Sequence, residues 1–156
     1  MVASRRPIVA VVGGSQAGAK LKRDAEAVGR LIGERGGLLI CGGLGGVMEA
    51  AARGAKSVGG TTIGVLPGGR SSDANPHIDI PIVTGIGYAR NVIIVQTADG
   101  VVALPGKFGT LTEIAYAVVF GKPVVSMNSW DVGPGVATAS NPAQAVEWIF
   151  ERLDGR

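Results

Sequence analysis

The chain has 156 residues, of which 46% are hydrophobic and 4% aromatic, and its formal net charge at pH 7 is +3. This length predicts one domain, residues 1–156, with a single core. No run reaches the roughly 18 apolar residues that span a bilayer, and residues 1–7 lack the apolar stretch of a secretory signal, so we expect a cytoplasmic protein with no membrane partner.

Apolar runs and helical patterns alternate along the chain. The first unit is an apolar run in residues 7–15 that ends in glycine, followed by helically spaced apolar residues in 21–36. Further units follow at residues 37–43 and 45–60, 61–69, 78–85 and 88–98, 100–106 and 109–121, and 122–128 and 141–153. Short Val/Ile/Leu runs without polar alternation indicate strands buried on both faces. The pattern predicts a Rossmann-like α/β fold, a three-layer sandwich with a mostly parallel sheet of five to six strands.

Glycine-rich turns follow several of these strands. In such sheets ligands bind beyond the carboxyl ends of the strands, and a turn that enters a helix presents N–H groups and the positive end of the helix dipole, which suit a phosphate. The expected ligand-binding positions in the first two turns are Gly13, Gly14, Ser15, Gly42, Gly43 and Gly45, and those in the last are Pro105, Gly106, Lys107, Phe108, Gly109 and Thr110.

Several familiar cofactor sites do not match the residues. The turns GGSQAG and GGLGG miss the G-x-G-x-x-G spacing of a dinucleotide site, so we do not predict NAD. PGKFGT is not a P-loop, because Phe108 follows the lysine where Ser or Thr would hold magnesium. No lysine is identified as a pyridoxal phosphate Schiff base. The single Cys41 and single His77 indicate neither a disulfide nor a metal site, and no cofactor is expected to be required for folding.

Two charged residues lie where predicted helices begin. Arg90 falls in the first turn of the helix predicted in 88–98, where a cation opposes the helix dipole and favours a compensating partner. Glu113 has two interpretations. With Thr110 as N-cap it completes a capping box, or it accepts hydrogen bonds from a ligand. Both residues follow strands that end at one sheet edge, so Arg90 can hold a phosphate while Glu113 binds a ribose or a heterocycle.

The segment PGKFGTLTE resembles the P-G-G-x-G-T-x-x-E motif of the LOG proteins, which activate cytokinins and are often labelled lysine decarboxylase-like. In that family the arginine before the motif and its closing glutamate are the catalytic pair, which implies catalytic roles for Arg90 and Glu113 if the chain is a hydrolase. Two positions depart from the pattern: Asn91 stands where lysine is usual, and Lys107 replaces the second glycine. Lys107 either adds a phosphate contact or narrows the pocket, with strain if its φ is positive.

The wider chain resembles a sister group, distantly related to DprA, that includes the molybdenum cofactor carrier proteins. The segments that carry this resemblance are GGLGGVMEAAARGA, GVLPG, ANPHIDIPIVTGIGYARN and GTLTEIAYAVVFGKPVV, in that order. The resemblance implies a homo-oligomer, a dimer or a tetramer, and a pocket for a phosphate-bearing heterocycle, in which Asn91 beside Arg90 is a further ligand-binding candidate. Tyr88 either stacks on such a ring or packs on the sheet edge.

Three functions remain open at this point. The favoured one is a binding or carrier protein whose cargo is the molybdenum cofactor or a related nucleotide. The alternative is an enzyme that hydrolyses the N-glycosidic bond of a nucleoside 5′-monophosphate and releases the free base. The third, a DprA-like binder of single-stranded DNA, is disfavoured, because aromatic residues for base stacking are scarce and the basic residues are interspersed with acidic ones.

Overall fold

The computed structural model describes residues 4–155. The strands of this part of the chain are β1 (Ile8–Val12), β2 (Leu38–Cys41), β3 (Thr62–Leu66), β4 (Ile80–Val83), β5 (Gly100–Ala103), β6 (Val124–Ser126) and β7 (Ala137–Thr138). The helices are α1 (Ala19–Glu34), α2 (Val47–Ser57), α3 (Asn91–Thr97), α4 (Phe108–Val119) and α5 (Pro142–Asp154), with short 3-10 turns at Ser71–Asp73 and Gly87–Arg90.

Within residues 4–155 the seven strands form one sheet in the order β4-β3-β2-β1-β5-β6-β7, and all neighbouring strands are parallel. The Rossmann-like α/β fold predicted from the sequence is confirmed. The sheet has one strand more than the upper estimate, because β7 is only two residues long and lies within a polar loop that carries no strand pattern.

The sheet order reverses between β1 and β5. From β1 the chain builds outward through β2, β3 and β4 on one side, and through β5, β6 and β7 on the other. The connections that leave the carboxyl ends of β1 and β5 therefore lead to α1 and α4 on opposite faces of the sheet, and a crevice opens at this point, where doubly wound folds bind their ligands. This switch point could not be located from the sequence, and it fixes where the candidate site lies.

The core has two apolar layers, one on each face of the sheet. Along β1, Val9 and Val11 face the layer covered by α1, α2 and α5, while Ala10 and Val12 face the layer covered by α3 and α4. This arrangement is a three-layer sandwich. None of the helices described between residues 4 and 155 combines the length and apolarity needed to cross a membrane.

Candidate functional site

A cavity of about 520 Å³ opens at the switch point, beyond the carboxyl ends of β1, β2 and β5. It is lined by expected site residues from several loops: Gly13, Gly14, Ser15, Gly42, Arg90, Asn91, Gly106, Lys107, Gly109, Thr110 and Glu113. Four other expected residues, Gly43, Gly45, Pro105 and Phe108, are not part of its wall. The cavity is also lined by Gln16, Leu44 and Pro67, which lie in the glycine-rich turns after β1, β2 and β3, and by Met48, which sequence reasoning missed.

The glycine loops around the cavity are packed backbone against backbone. The Gly14 N–H donates to the Pro105 carbonyl (2.9 Å), and the Gly14 carbonyl accepts from Val47 N–H (2.9 Å) at the start of α2. A side chain at Gly106 would overlap Thr110 Oγ1. The loops after β1, β2 and β5 are thus pinned to one another, and Pro105 contributes through its carbonyl group although it lies outside the cavity wall.

The first turn of α4 presents free N–H groups to this cavity. The helix begins at Phe108, and its first intrahelical bond runs from Leu111 N–H to the Lys107 carbonyl (3.2 Å). Within the described part of the chain, the N–H groups of Phe108, Gly109 and Thr110 meet no acceptor. Free N–H groups at the positive end of a helix dipole form an anion-binding arrangement.

The structure rules out the capping box, which was one of the two interpretations of Glu113. Because α4 begins at Phe108 and Lys107 is its N-cap residue, Thr110 is the third residue of the helix, and Glu113 falls in its second turn. Thr110 is buried, and the N-cap makes no side-chain hydrogen bond. Glu113 therefore does not cap α4, and of its two interpretations the one as a ligand-binding group is left.

Lys107 occupies its position without backbone strain. Its φ is −96°, so the glycine that the related motif carries is not required here for a positive φ. The Lys107 carbonyl accepts a hydrogen bond from the indole N–H of Trp130 (2.9 Å), whose ring stacks on Phe108. No carboxylate among residues 4–155 forms an ion pair with the exposed Lys107 side chain, which therefore adds an unpaired positive charge to the cavity rim.

Arg90 is a buried cation at the cavity wall, with only 7% of its surface exposed. It ends the 3-10 turn and is the N-cap residue of α3, so it lies directly before that helix and not within its first turn as expected from the sequence. Its Nε donates to the Val65 carbonyl (2.9 Å), and its Nη2 donates to the Gly42 carbonyl (3.4 Å). Burial lowers the pKa of Arg90, and the nearby Glu113 opposes that shift.

Gly42 makes room for this guanidinium. A Cβ atom at residue 42 would lie 2.7 Å from Nη2 of Arg90 and 2.7 Å from Sδ of Met48. No side chain fits there unless Arg90 or Met48 moves. The glycine that was expected to approach a ligand therefore also accommodates the buried cation.

Glu113 is a buried carboxyl group without a protein partner. It is 8% exposed, and within residues 4–155 it makes no side-chain hydrogen bond and no ion pair. Burial raises the pKa of Glu113 from 4.5 to about 8, while the positive charge of Arg90 partly offsets the rise. Burial therefore favours the neutral acid form of Glu113, which lines the cavity and is able to donate or accept a hydrogen bond.

Tyr88 lies on the rim of the cavity. Its side chain is 82% exposed, so it does not pack on the sheet edge, and its ring lies beside Gly109 at the start of α4. An exposed aromatic ring next to an anion-binding helix end is suited to stacking on a planar group. Within the described residues no cluster of three or more His, Cys, Asp or Glu side chains is placed to hold a metal ion.

The chain is similar to two solved proteins of known ligand. One is the molybdenum cofactor binding protein of Rippkaea orientalis (37% identity, TM-score 0.91, covering 97% of this chain and 99% of that one). The other is the molybdenum cofactor carrier protein of Chlamydomonas reinhardtii (35% identity, TM-score 0.84, 96% and 99% covered). DNA processing protein A of Helicobacter pylori shares the fold at 18% identity, with a TM-score of 0.71, over 96% of this chain and 81% of that one.

A curated relative comes from the LOG proteins. The cytokinin riboside 5′-monophosphate phosphoribohydrolase of Mycobacterium tuberculosis is 35% identical over 122 residues, which make up 72% of this chain and 65% of that protein. The family model of the SLOG cluster4 family matches residues 6–150. The resemblance to LOG-like and DprA-related proteins predicted from the sequence is thereby confirmed, and this chain belongs to the SLOG cluster4 family.

Proposed function

We propose that this protein binds, and acts as a carrier for, a phosphate-bearing heterocycle, and that its cargo is the molybdenum cofactor or a related nucleotide. The observation that carries the proposal is the combination, in one cavity, of the free helix N–H groups of Gly109 and Thr110 with a buried arginine that has no carboxylate at ion-pair distance among residues 4–155. A volume of about 520 Å³ suits a ligand of nucleotide size. The similarity to two molybdenum cofactor proteins supports this cargo.

The site residues have separate roles in this proposal. The N–H groups of Gly109 and Thr110 and the Lys107 ammonium bind the phosphate, and Arg90 adds directed donors beside them. Glu113, as a neutral acid at pH 7, exchanges hydrogen bonds with a polar edge of the heterocycle or with a hydroxyl group. Tyr88 stacks on the ring at the cavity rim.

The alternative function is a nucleoside 5′-monophosphate phosphoribohydrolase. It is favoured by the presence of Arg90 and Glu113 in one cavity and by the similarity to the mycobacterial enzyme. In that reaction the carboxylate of Glu113 would stabilise positive charge that develops on the ribose as the N-glycosidic bond breaks, while Arg90 orients the nucleotide. A pKa of about 8 for Glu113 leaves little of the required carboxylate at pH 7. The two molybdenum cofactor proteins match 96–97% of this chain and the mycobacterial enzyme matches 72% of it, and on this ground, together with the burial of Glu113, we rank the carrier above the hydrolase.

We further propose that the protein is a cytoplasmic homo-oligomer, a dimer or a tetramer. Four large apolar side chains are exposed on the edge strand β4 and on the short segment that follows it: Ile80, Ile82, Val83 and Ile86. Grouped exposed apolar side chains are typical of surfaces that other proteins cover. Light scattering on the purified protein should give the mass of two or four chains, and a monomer at micromolar concentration would contradict this part of the proposal.

Binding of single-stranded DNA remains the weakest candidate, because the similarity to DNA processing protein A supports the fold alone. Binding of a labelled single-stranded oligonucleotide to the protein, with an affinity that falls steeply as salt is added, would support this function.

One experiment separates carrier from hydrolase. The protein is incubated with AMP and with isopentenyladenosine monophosphate, free base is measured by chromatography, and AMP binding is measured by calorimetry. A carrier binds without releasing base. Release of base that is lost in Glu113→Gln would replace the carrier with the hydrolase, and absence of both binding and turnover would refute nucleotide recognition.

A further inference from the structure

The side chain of Asn91 connects the two halves of the site. Its Oδ1 accepts a hydrogen bond from Nη1 of Arg90. Its Nδ2 donates to the Gly109 carbonyl (3.3 Å) and to Thr112 Oγ1 (3.1 Å), both on α4. The amide thus bridges the buried guanidinium and the helix whose first turn carries the free N–H groups.

The hydrogen-bond network fixes which way this amide points. Reversing the amide would aim its NH2 group at the Arg90 donors and its oxygen at the Gly109 carbonyl, and would lose both interactions. Asn91 is only 1% exposed, and both of its N–H donors are already used by α4. It therefore has no donor left for a ligand phosphate, although a direct ligand contact was expected for it from the sequence.

The other two anchors of Arg90 lie on the opposite side of the crevice. The Val65 and Gly42 carbonyls belong to β3 and to the loop after β2, so they fix the guanidinium to the half of the sheet that lies away from α4. Of the hydrogen bonds that Arg90 makes within the described residues, only the one to Asn91 leads to α4. An arginine has five N–H donors, so two remain for a ligand once these three bonds are made.

We propose that Asn91 is a positioning residue that holds the Arg90 guanidinium in a fixed place relative to the first turn of α4. Arg90 and the N–H groups of Gly109 and Thr110 then act on one anion as a unit. The geometry of this link is independent of the ligand, and only its effect on affinity rests on the proposed function.

The first test uses the free protein. Signals of the Arg90 Nη protons are recorded by NMR and assigned by their loss in Arg90→Lys. We expect separate signals from a guanidinium with slow rotation in the wild type and in Gln96→Ala, a control that removes an exposed amide from the same helix. In Asn91→Ala the Nη signals should average. Identical signals in the wild type and Asn91→Ala would overturn the proposal.

The second test is a double-mutant cycle on AMP affinity, with Arg90→Ala, Asn91→Ala and the double variant. Asn91→Ala should weaken binding about tenfold, as expected for a hydrogen bond to a charged group, but less than about twofold when Arg90 is already absent. An equal loss in both backgrounds would mean that Asn91 acts independently of Arg90, and would overturn the proposal.

A less disruptive substitution tests the same link in case Asn91→Ala does not fold. Thr112→Val removes one of the two acceptors of the amide at an exposed position, leaves the bond to Arg90 intact, and should weaken AMP binding two- to threefold. Unchanged affinity in a folded Thr112→Val protein would count against the link to α4. If the wild type binds no AMP, the proposed function fails, while the NMR test still decides the role of Asn91.

Discussion

Replacing Glu113 with Gln should change how stability depends on pH. Burial raises the pKa of Glu113 from 4.5 to about 8, so between these values the folded protein retains a proton that the unfolded chain has released. The free energy of unfolding therefore decreases as pH rises from 4.5 to about 8. Below pH 4.5 Glu113 is protonated in both the folded and the unfolded state, and it adds no pH dependence there. Ionisation of Glu113 should lower the free energy of unfolding by roughly 2 to 3 kcal/mol between pH 6 and pH 9.

Chemical denaturation at several pH values tests this expectation. Glutamine cannot ionise, so any effect of the amide itself is the same at each pH, and contributions from other titrating groups cancel between the two proteins. The wild type should lose roughly 2 to 3 kcal/mol more than Glu113→Gln between pH 6 and pH 9, or about 5–10 °C in Tm. Glu147→Gln, on an exposed face of α5, controls for the change in net charge. Parallel pH profiles for the wild type and Glu113→Gln would refute the buried, unpaired state of this carboxyl group.

Three further predictions concern the cavity. Lys107→Met removes a positive charge from the cavity rim, so it should weaken AMP binding severalfold and reduce the salt dependence of binding. Tm should change little, because φ at this residue suits any side chain. Unchanged affinity in calorimetry at two salt concentrations would contradict this prediction. Gly42→Ala should destabilise the protein by about 1–3 kcal/mol and impair AMP binding, because the new Cβ atom meets Arg90. The control Gly69→Ala has open space around it and should leave stability unchanged. Equal melting temperatures for the two variants would refute the close contact between residue 42 and Arg90. Any release of base from AMP should rise as pH passes through about 8, where Glu113 ionises, and a flat pH profile would remove Glu113 from catalysis.

The sequence predicted the fold class because its signals are local. The apolar runs and glycine turns of β1, β2 and β5 lie in the chain itself, and the preference of such runs for a parallel sheet needs no knowledge of tertiary contacts. The strand order could not be predicted, since it depends on long-range pairing such as that between β1 and β5. β7 was missed because a two-residue strand leaves no periodic pattern.

The candidate site was predicted in outline but not in its contacts. Arg90 and Glu113 were correctly expected at one sheet edge, since both follow strands of a parallel sheet. The start of α4 was placed too late, because the motif offered Thr110 as a plausible N-cap while the structure begins the helix at Phe108. The bridging role of Asn91 depends on side-chain contacts that no sequence spacing encodes.

Met48 was overlooked, although a sequence signal for it exists. It lies in the first turn of α2, directly after the glycine-rich loop that follows β2, and that position places it at the same sheet edge as the predicted ligand residues. Reading the first helical turn after each glycine loop, and not only the loop itself, would have included this residue.

The carrier function is tested by identifying the molecule that the protein binds in cells. The protein is purified without oxygen from cells that make the molybdenum cofactor, bound pterin is oxidised to its fluorescent derivative, and the amount is compared with that from Arg90→Ala. We expect close to one pterin per chain in the wild type and a large loss in the variant. No pterin in the wild type, or equal amounts in both proteins, would contradict the claim that this cavity carries the molybdenum cofactor.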